Sequence, residues 1–480
     1  MRSVALPLAA GLAFFVLPAG FAAQEADVFA GIPAAIQPYV DRGEIAGAVS
    51  LVADREKVLH LSAVGLSDIA TGRKQRPDDR FWIASMTKPI TAVALALLVD
   101  EGKVAWEDPL EKYLPEFRHQ WLVQEQTADR RVLVRPARPI TIRDVLTHTS
   151  GMGEYPVSSP HWSLAEFTKV VAREPLRFPP GSRWGYSTAG IDTIGRVIEV
   201  VSGQGLAEFV AERILKPLGM DNTTWWIPAD QSDRLARSYR PDPAMGKLVE
   251  AKIAYMYDGA VTDRDRPALG GAGLFSTAED ICRFYQMMLH DGMANGRRIL
   301  QPGTVAEMTR KQTGDLKPRP GMAWGLGFCV IEDPAKWEAN RHLSPGTFGH
   351  GGAFGTQSWA DPTTGLIYVF MISRDKIPET PDNSLMRRAY HDAVAAGLAR
   401  RTKGPWGGRN GRPGTTFATL ASRDRTGCVP VDMASGRLLF HRDDTQGAGF
   451  PERHRPGIEA EPVHRVGGPA RRAAGGAPDA

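Results

Sequence analysis

The chain has 480 residues, of which 42% are hydrophobic and 23% are charged, and its formal net charge is +4. This composition can bury a large core and build one big or two moderate domains. Residues 401–480 carry 13 Lys or Arg against 8 Asp or Glu, so the remainder of the chain is close to neutral. That balance argues against nucleic-acid binding by the main body.

The N-terminal segment is typical of a secretory signal peptide. Arg2 precedes an apolar run over residues 4–21, and the small residues Ala22 and Ala23 follow. We therefore predict a signal peptide at residues 1–23 and an exported protein, periplasmic or extracellular, with an uncleaved membrane anchor as the alternative. No later segment approaches the roughly 18 consecutive apolar residues of a spanning helix, so no stable membrane span is expected after cleavage.

Strand-like runs occur at both ends of the main domain, which we place at residues 24–400. An N-terminal pair, 47–53 and 57–64, is separated by Asp54-Arg55-Glu56, a hairpin pattern. Further strand-like runs lie in the C-terminal part, at residues 323–331, 354–360 and 366–373. These strands can complete one antiparallel sheet, which predicts an α/β (α+β) fold with the sheet flanked by helices.

The middle of the chain, roughly residues 86–290, is predicted to be mainly helical. Thr141 caps a short helix that we expect to end near Gly151. Two longer helical patterns follow, at residues 191–201 and 206–215. The turn Lys216-Pro217-Leu218-Gly219 is expected to end the second of them.

Residues 401–480 differ from the rest of the chain in composition. They contain 14 Gly and 8 Pro, with many Arg and little apolar periodicity. Such a segment buries too little apolar surface to offset the entropy of ordering, which predicts a disordered tail. A short domain at about residues 417–440 is the alternative.

Ser85 and Lys88 form the most informative pattern, because this Ser-x-x-Lys tetrad precedes a long apolar-periodic segment. Apolar residues then repeat as in a helix buried along one face, at Ile90, Val93, Ala94, Leu97 and Leu98. Residues i and i+3 share a helical face, so the lysine amine can be the base that a serine hydroxyl needs. Burial and the helix N-terminus favour the neutral amine. We predict an activated serine, with a plain N-cap serine and a surface lysine as the alternative.

A second copy of the tetrad, Ser373-Arg374-Asp375-Lys376, allows an internal comparison. It follows a strand-like run and leads to Pro378, with no apolar helix behind it. We interpret this copy as a solvated turn without a catalytic function.

Two further stretches of sequence point to the same chemistry. Tyr186 lies in a loop that enters a helix, and a phenol near a lysine can share the role of base; a packed aromatic side chain is the plainer interpretation. The glycine-dense run 348–355 contains His350, which offers a donor to a substrate carboxylate or leaving group. Its glycines either let a substrate approach a strand edge or form a bulge or turn.

The cysteines and histidines indicate no metal centre. Cys282, Cys329 and Cys428 form neither a spaced metal-binding set nor a disulfide framework. We interpret Cys282 and Cys329 as small buried residues, with a bridge between them as the alternative. The 11 histidines include no His-x-x-x-His or comparable pair, so we expect neither a catalytic metal nor a cofactor.

Six short motifs occur in a fixed order along the chain. They are Ser85-Met86-Thr87-Lys88, Leu146-Thr147-His148-Thr149-Ser150-Gly151, Tyr186-Ser187-Thr188, Leu215-Lys216-Pro217-Leu218-Gly219-Met220, Gly273-Leu274-Phe275-Ser276-Thr277 and His350-Gly351-Gly352. Together they resemble the family of class C β-lactamases and related serine hydrolases, which includes penicillin-binding DD-peptidases, D-aminopeptidases and carboxylesterases. The resemblance covers about residues 28–400. It implies a β-lactamase/transpeptidase-like fold, with the active site in the cleft between the sheet part and the helical region.

The resemblance also implies roles for the matching residues. Ser85 would be the acylated nucleophile, and Lys88 with Tyr186 would move the proton. The backbone N–H groups of Ser85 and Ala353 would form the oxyanion hole, which stabilises charge that develops only in the transition state. His350 and its following glycines would form the third motif on a strand at the sheet edge.

Two motifs depart from the pattern of true β-lactamases. The second motif usually closes with Asn, and Thr188 replaces that amide with a shorter hydroxyl. The third motif is usually Lys-Thr-Gly, whereas His350-Gly351-Gly352 supplies neither the ammonium nor the hydroxyl. We therefore expect an esterase or a D-amino-acid peptidase rather than an efficient β-lactamase.

The sequence thus predicts an exported serine hydrolase that acts through an acyl-enzyme on Ser85. Its expected substrate is a small ester, a D-amino-acid peptide or a β-lactam-like molecule. A penicillin-binding DD-peptidase or weak β-lactamase is one alternative, and a non-catalytic penicillin-recognising sensor module is another. A third is an α/β-hydrolase with Ser187 as nucleophile, since residues 185–189 are one residue short of a Gly-x-Ser-x-Gly elbow.

Overall fold

The computed structural model describes residues 27–154, 161–253, 260–377 and 384–403. The predicted signal peptide lies outside these ranges. The disordered tail was predicted to begin at residue 401, which is wrong for residues 401–403, because the helix Leu385–Lys403 continues through them; the rest of the predicted tail lies outside the described residues. Within the described ranges, no helix combines the length and the apolar character that crossing a membrane requires.

The α-helices of the described ranges are α1 (Gly31–Asp41), α2 (Thr87–Asp100), α3 (Ile142–Leu146), α4 (Leu164–Arg173), α5 (Thr188–Ser202), α6 (Leu206–Val210), α7 (Lys216–Leu218), α8 (Ala278–Leu289), α9 (Pro302–Thr309) and α10 (Leu385–Lys403). The strands are β1 (Gly47–Ala53), β2 (Val58–Asp68), β3 (Arg73–Lys74), β4 (Phe81–Trp82), β5 (Leu122–Gln126), β6 (Arg131–Val134), β7 (Tyr239–Asp242), β8 (Lys247–Glu250), β9 (Phe275–Ser276), β10 (Met293–Ala294), β11 (Arg297–Arg298), β12 (Met322–Trp324), β13 (Cys329–Ile331), β14 (Phe348–Gly351), β15 (Gln357–Asp361) and β16 (Leu366–Ile372). A π-helical turn, Ala211–Leu215, joins α6 to α7.

An eight-stranded sheet forms the centre of the fold. Its strand order is β12-β13-β14-β15-β16-β1-β2-β3, and every neighbouring pair is antiparallel. The N-terminal hairpin joins the C-terminal strands where β1 pairs with β16, with Ala48 opposite Ile372 and Ala53 opposite Ile367. The predicted antiparallel sheet, assembled from both ends of the chain, is confirmed.

Strand β16 shows how the sheet separates two hydrophobic layers. All of its residues are buried, and successive side chains of a strand point to opposite faces. Ile367, Val369 and Met371 belong to the large core that includes α2 and α8. Tyr368 and Phe370 belong to a second core with α1 and α10. Helices therefore cover both faces of the sheet at the strand where the two ends of the chain meet.

Two of the predicted C-terminal strands have different bounds. The run predicted as one strand at residues 323–331 forms two strands, β12 and β13, because Gly327 turns the chain with a φ of 82°. Strand β15 begins at Gln357 rather than at residue 354, because residues 352–355 form a turn closed by a backbone hydrogen bond of 2.9 Å. Both differences arise where glycine allows a turn within an otherwise strand-like run.

The resemblance, rather than any local pattern, predicted a strand at His350, and β14 contains this residue. The expected position at the sheet edge is wrong, because β14 pairs with β13 on one side and with β15 on the other. Two of its four residues are glycines, which are depleted in strands because they offer no side chain to pack. Gly349 is nevertheless required here, since a Cβ at this position would lie 2.0 Å from the Ser358 carbonyl oxygen on β15. The close approach of the β14 and β15 backbones therefore explains why glycine occupies this position and why the sequence of β14 lacks a strand-like pattern.

The middle of the chain, predicted as mainly helical, also contains two small antiparallel hairpins, β5 with β6 and β7 with β8. Both longer predicted helices are present, as α5 and as α6 with its π-helical continuation. Gly219, in the left-handed region with a φ of 66°, ends the second one as expected. The short helix α3 ends at Leu146 rather than near Gly151, because His148 adopts a φ of 59°.

Helix α2 lies in the interior of the molecule. The sequence predicted burial along one face, but every residue from Thr87 to Leu98 is buried. Strand β14, α5 and α6 all pack against it. A helix that is apolar all round is a core helix, and burying each Val, Leu or Ile side chain contributes roughly 1.5–3 kcal/mol. The residues at its N-terminal end therefore have a rigid support.

The two described cysteines are not bridged. Cys282 on α8 and Cys329 on β13 are both buried and free, and burial raises the pKa of the Cys282 thiol to about 12. The interpretation of both as small buried residues is confirmed, and the alternative of a bridge between them is wrong. Cys428 lies outside the described residues.

Candidate active site

Ser85 lies in a turn immediately before α2. This 3-10 turn, Ala84–Met86, follows β4 and leads directly into the helix. Ala84 is left-handed, with a φ of 47°, a conformation that a non-glycine residue keeps only where its neighbours hold it. Thr87 supplies this support, because its hydroxyl donates to the Ala84 carbonyl (2.7 Å) and accepts from the Leu274 N–H (3.2 Å). Ser85 is thereby fixed, and its side chain is only half-buried.

Lys88 is completely buried, and its ammonium group faces three oxygen atoms. Its Nζ donates to the Gly271 carbonyl (2.8 Å) and to Ser85 Oγ (3.1 Å), and it lies 3.4 Å from Thr188 Oγ1. Burial lowers the pKa of Lys88 from 10.5 to about 8. The structure therefore brings Ser85 and Lys88 together as their spacing predicts, with an amine that gives up its proton more readily than usual.

Two carboxylates partly offset this effect by raising the pKa of the lysine. Asp192, buried on α5, accepts the Gly271 N–H at 2.7 Å, so a single residue links it to the ammonium group. Glu154 accepts the N–H groups of Thr188 (2.7 Å) and Ala189 (3.1 Å) at the N-terminus of α5, where the helix dipole favours negative charge. Neither carboxylate was identified from the sequence, because both reach the site only through the fold.

The Gly271 carbonyl is a second group that the sequence analysis missed. A Cβ on Gly271 would lie 2.7 Å from both the carbonyl oxygen and the Cγ2 of Thr188. Only glycine therefore allows this carbonyl to reach Lys88. The available signal was the run of glycines at positions 270, 271 and 273, at the start of the fifth motif.

Tyr186 covers the buried ammonium group. The centre of its ring lies 4.7 Å from Lys88 Nζ, and the ring packs against His148 with 4.4 Å between centroids. Arg177 donates to the carbonyls of Met152 (2.9 Å) and Tyr186 (3.3 Å). These hydrogen bonds connect the loop that contains Tyr186 to the segment that contains Met152. The structure thus places the predicted phenol ring next to the predicted lysine.

Tyr186 belongs to an aromatic cluster that borders the lysine. Its rings are linked through centroid distances of 4.4–6.2 Å and come from His148, Trp184, Tyr186, Trp324 and His350. Burial, reinforced by Lys88 and His350, holds the pKa of His148 well below its usual range. Because His148 Nδ1 accepts the Ser187 N–H at 3.2 Å, the neutral ring carries its proton on Nε2. The lysine therefore lies in an apolar environment on this side.

Ser187 caps α5, and Thr188 is the first residue of that helix. The Ser187 hydroxyl accepts the Gly190 N–H (3.0 Å) and donates to the Gly153 carbonyl (3.0 Å), and the residue is 1% exposed. The described residues 177–187 contain no strand that could form a nucleophile elbow. The α/β-hydrolase alternative with Ser187 as nucleophile is therefore wrong.

The third motif lies on β14 and in the turn after it. His350 is buried, and its Nδ1–H donates to the Gly351 carbonyl (2.6 Å). Gly352 packs so closely against the entrance of α2 that a Cβ would lie 2.6 Å from the Ile83 carbonyl oxygen. Ala353 is exposed, and its N–H has no acceptor among the described residues. The fold thus brings this turn against the segment that carries the predicted nucleophile.

Gly352→Ala is expected to lower the melting temperature. The added Cβ would lie 2.0 Å from Thr356 Oγ1 and 2.6 Å from the Ile83 carbonyl oxygen, so the backbone must shift. Overpacking of this kind costs roughly 1–3 kcal/mol. Gly303→Ala on α9 is the matched control for thermal unfolding, because its Cβ meets nothing within 4 Å. A melting temperature of Gly352→Ala equal to that of the control would contradict the close packing.

The second Ser-x-x-Lys copy differs from its prediction. Ser373 and Arg374 are buried, so the interpretation as a solvated turn is wrong for these two residues. Ser373 Oγ shares a hydrogen bond with Ser238 Oγ (3.0 Å), and Arg374 donates to the Glu44 carbonyl (2.6 Å), because β16 leads directly into this turn. Lys376 is exposed, with a φ of 51°. No helix forms here to align the lysine with the serine.

Comparison with known proteins identifies the family. The beta-lactamase family model matches residues 32–393. Protein Rv1367c of Mycobacterium tuberculosis (strain ATCC 25618 / H37Rv) is 36% identical over 366 residues, 71% of this chain and 89% of that protein. Esterase EstB of Burkholderia gladioli is 31% identical over 382 residues, 73% of this chain and 91% of that protein. The solved structure of EstCE1, a hydrolase with promiscuous acyltransferase activity, is 25% identical, and the match covers 77% of this chain and 98% of that one with a TM-score of 0.64. The chain therefore belongs to the beta-lactamase family and is a serine hydrolase of the β-lactamase/transpeptidase-like fold.

Proposed function

We propose that the protein hydrolyses carboxylic esters or D-amino-acid amides through an acyl-enzyme on Ser85. The contact of 3.1 Å between Ser85 Oγ and Lys88 Nζ carries this proposal, because it joins a half-buried hydroxyl to a completely buried amine. With a pKa of about 8, roughly a tenth of the lysine is neutral at pH 7 and can act as a base.

The reaction follows from the placement of these groups. Neutral Lys88 accepts the Ser85 proton while the serine oxygen forms a bond to the substrate carbonyl carbon. The carbonyl oxygen becomes an oxyanion, to which the N–H groups of Ser85 and Ala353 donate. The tetrahedral intermediate expels the alcohol or amine, which takes the proton from Lys88, with Tyr186 as the adjacent relay. Water then attacks the acyl-enzyme in the same way and releases the acid and free Ser85.

The residues around the site favour esters or D-amino-acid amides over β-lactams as substrates. Where β-lactamases of this family carry an amide and an ammonium group, this site has the hydroxyl of Thr188 and the imidazole of His350. Because the imidazole already donates through Nδ1 to the Gly351 carbonyl, that nitrogen is not available to a β-lactam carboxylate. The similarity to an esterase, EstB, supports the ester among these substrates.

Export is part of this proposal and rests on the composition of residues 1–23. Arg2, the apolar run after it and the small residues Ala22 and Ala23 are the features that support it. Periplasmic or secreted protein is expected to have lost this segment, so the N-terminal sequence of the mature protein is the relevant measurement.

Intact-protein mass spectrometry tests the proposed reaction. The protein is incubated with p-nitrophenyl butyrate or with benzylpenicillin, and Ser85→Ala is treated in parallel. We expect a transient butyryl adduct together with release of p-nitrophenol, both absent from the variant. A persistent penicilloyl adduct without ester turnover would instead indicate a penicillin-binding peptidase. Neither adduct nor turnover with either compound would indicate a non-catalytic module.

A further inference from the structure

A buried arginine holds the turn that follows β14. Arg387 on α10 is 1% exposed, and its Nη2 donates to the carbonyls of Gly355 (2.8 Å) and Thr356 (3.1 Å). Arginine is rarely buried, because its guanidinium loses hydration that hydrogen bonds must replace. Two adjacent carbonyls of one turn supply part of that replacement. The arginine therefore fixes the orientation of that short stretch of backbone.

The same turn is closed internally and leaves one donor at its tip. The Gly355 N–H donates to the Gly352 carbonyl (2.9 Å), and the Gly352 N–H donates to the Thr356 carbonyl (2.7 Å). Ala353 lies between these positions, is exposed, and has an N–H without an acceptor among the residues that the structure describes. An uncommitted donor on an otherwise hydrogen-bonded turn is suited to a bound ligand.

On its other side the turn touches the segment before the nucleophile. Thr356 Oγ1 donates to the Ile83 carbonyl at 3.4 Å, and a Cβ on Gly352 would lie 2.6 Å from the same oxygen. Ile83 is two residues before Ser85. The turn is thus held between α10 and the nucleophile turn, with Ala353 at its free tip.

We propose that Arg387 is a positioning residue for the oxyanion hole, because its two hydrogen bonds orient the turn so that the Ala353 N–H faces the reacting carbonyl. This inference rests on the proposed function, in which Ala353 donates to the oxyanion. Such donors are effective only when they are held in place before the reaction. Carbonyls that Arg387 holds toward α10 also cannot rotate toward the oxyanion, where their dipoles would oppose the developing charge.

Helix α10 provides a matched control for this inference. Tyr390 lies three residues after Arg387, is completely buried, and donates its hydroxyl to the Leu51 carbonyl at 2.6 Å. Tyr390→Phe therefore removes a buried hydrogen bond between the same helix and a backbone carbonyl, but on β1 instead of the turn. Its effect reports what a loss of packing or stability does to the reaction.

Steady-state hydrolysis of p-nitrophenyl butyrate by the full chain is the test. Arg387→Met is expected to lower kcat about tenfold to hundredfold with KM nearly unchanged, because a donor is displaced from the transition state. Tyr390→Phe is expected to change neither constant. Arg387→Lys keeps the positive charge but lacks the planar guanidinium group that donates to both carbonyls, so it is expected to give an intermediate kcat. Binding of butylboronic acid, which forms a tetrahedral adduct with the serine, is expected to weaken in Arg387→Met by the same factor as kcat.

The wild type in the same assay reports separately on the proposed function. If the wild type shows Ser85-dependent turnover and Arg387→Met keeps its kcat, the positioning role is wrong while the proposed function stands. A loss confined to KM, or an equal loss in Tyr390→Phe, also overturns the role. If Arg387→Met does not accumulate as folded protein, Arg387→Lys decides by the same comparison of kcat with KM. A wild type without Ser85-dependent turnover overturns both proposals.

Discussion

Ser85→Ala is expected to lower kcat/KM for p-nitrophenyl butyrate by about 10⁴-fold or more, because loss of the acylated nucleophile leaves only binding and oxyanion stabilisation. The fold is expected to tolerate the change. Ser85 is half-buried, and the hydrogen bond lost is the one it accepts from Lys88. Release of p-nitrophenol and thermal unfolding, measured on the same preparations, check both statements.

Two other serines provide the controls for this prediction. Ser187→Ala removes the cap of α5, which costs about 1 kcal/mol of stability, and Ser373→Ala removes a buried hydrogen bond to Ser238. Both are expected to lower the melting temperature and to retain most of the turnover. Turnover that survives in Ser85→Ala and disappears in Ser187→Ala would show that the nucleophile has been assigned to the wrong serine.

Local patterns were enough to predict most of the sheet. The strands β1, β2 and β16 are runs of apolar and β-branched residues, and such runs mark strands whatever their partners are. Strand β14 lacks such a run, since its glycines reflect the close approach of β15, a contact made by the fold. The burial of α2 on every side likewise depends on helices that the sequence places far along the chain.

In the active site, too, the contacts between residues close in sequence were predictable, and those made by the fold were not. Ser85 and Lys88 are one helical turn apart, so their contact follows from local geometry. The Gly271 carbonyl reaches Lys88 from 183 residues away, and Arg387 reaches the turn after β14 from more than 30 residues away. No spacing rule connects these partners, because only the packing of α2, α5 and α10 around the sheet brings them together.

Lys88→Met is expected to lower kcat by about 10²–10⁴-fold, the contribution typical of a positioned general base. Methionine retains the apolar length of the side chain, so the loss is expected in the chemical step rather than in KM. The measurement is the single-turnover rate of Ser85 acylation by p-nitrophenyl butyrate, compared with the wild type. An acylation rate equal to that of the wild type would show that another group accepts the serine proton.

The pH dependence of the acylation rate tests whether neutral Lys88 is the base. Neutral Lys88 is the reactive form, so the wild-type rate is expected to rise about tenfold per pH unit and to level off above the lysine pKa of about 8. The buried His148 stays neutral across this range, because its pKa lies well below the usual value. Asp192→Asn and Glu154→Gln each remove a charge that raises the lysine pKa, so both are expected to move the midpoint to lower pH. A midpoint that rises in these variants would contradict the assignment.

The pH dependence of the free energy of unfolding tests the low pKa of the buried Lys88 amine without any measurement of turnover. The pKa of Lys88 is about 8 in the folded protein and about 10.5 in the unfolded chain, so between these values the unfolded chain binds more protons and stability rises with pH. Below about pH 8 both states are protonated, and the full penalty of burying the charge, roughly 3 kcal/mol, is present. The variant Lys88→Met lacks this ionisation.

The free energy of unfolding of the wild type is therefore expected to increase relative to that of Lys88→Met as the pH rises from about 8 toward 10.5. A difference that stays constant over this interval would mean that the amine is hydrated in the folded protein, which would remove the reason for its low pKa and for its role as a base.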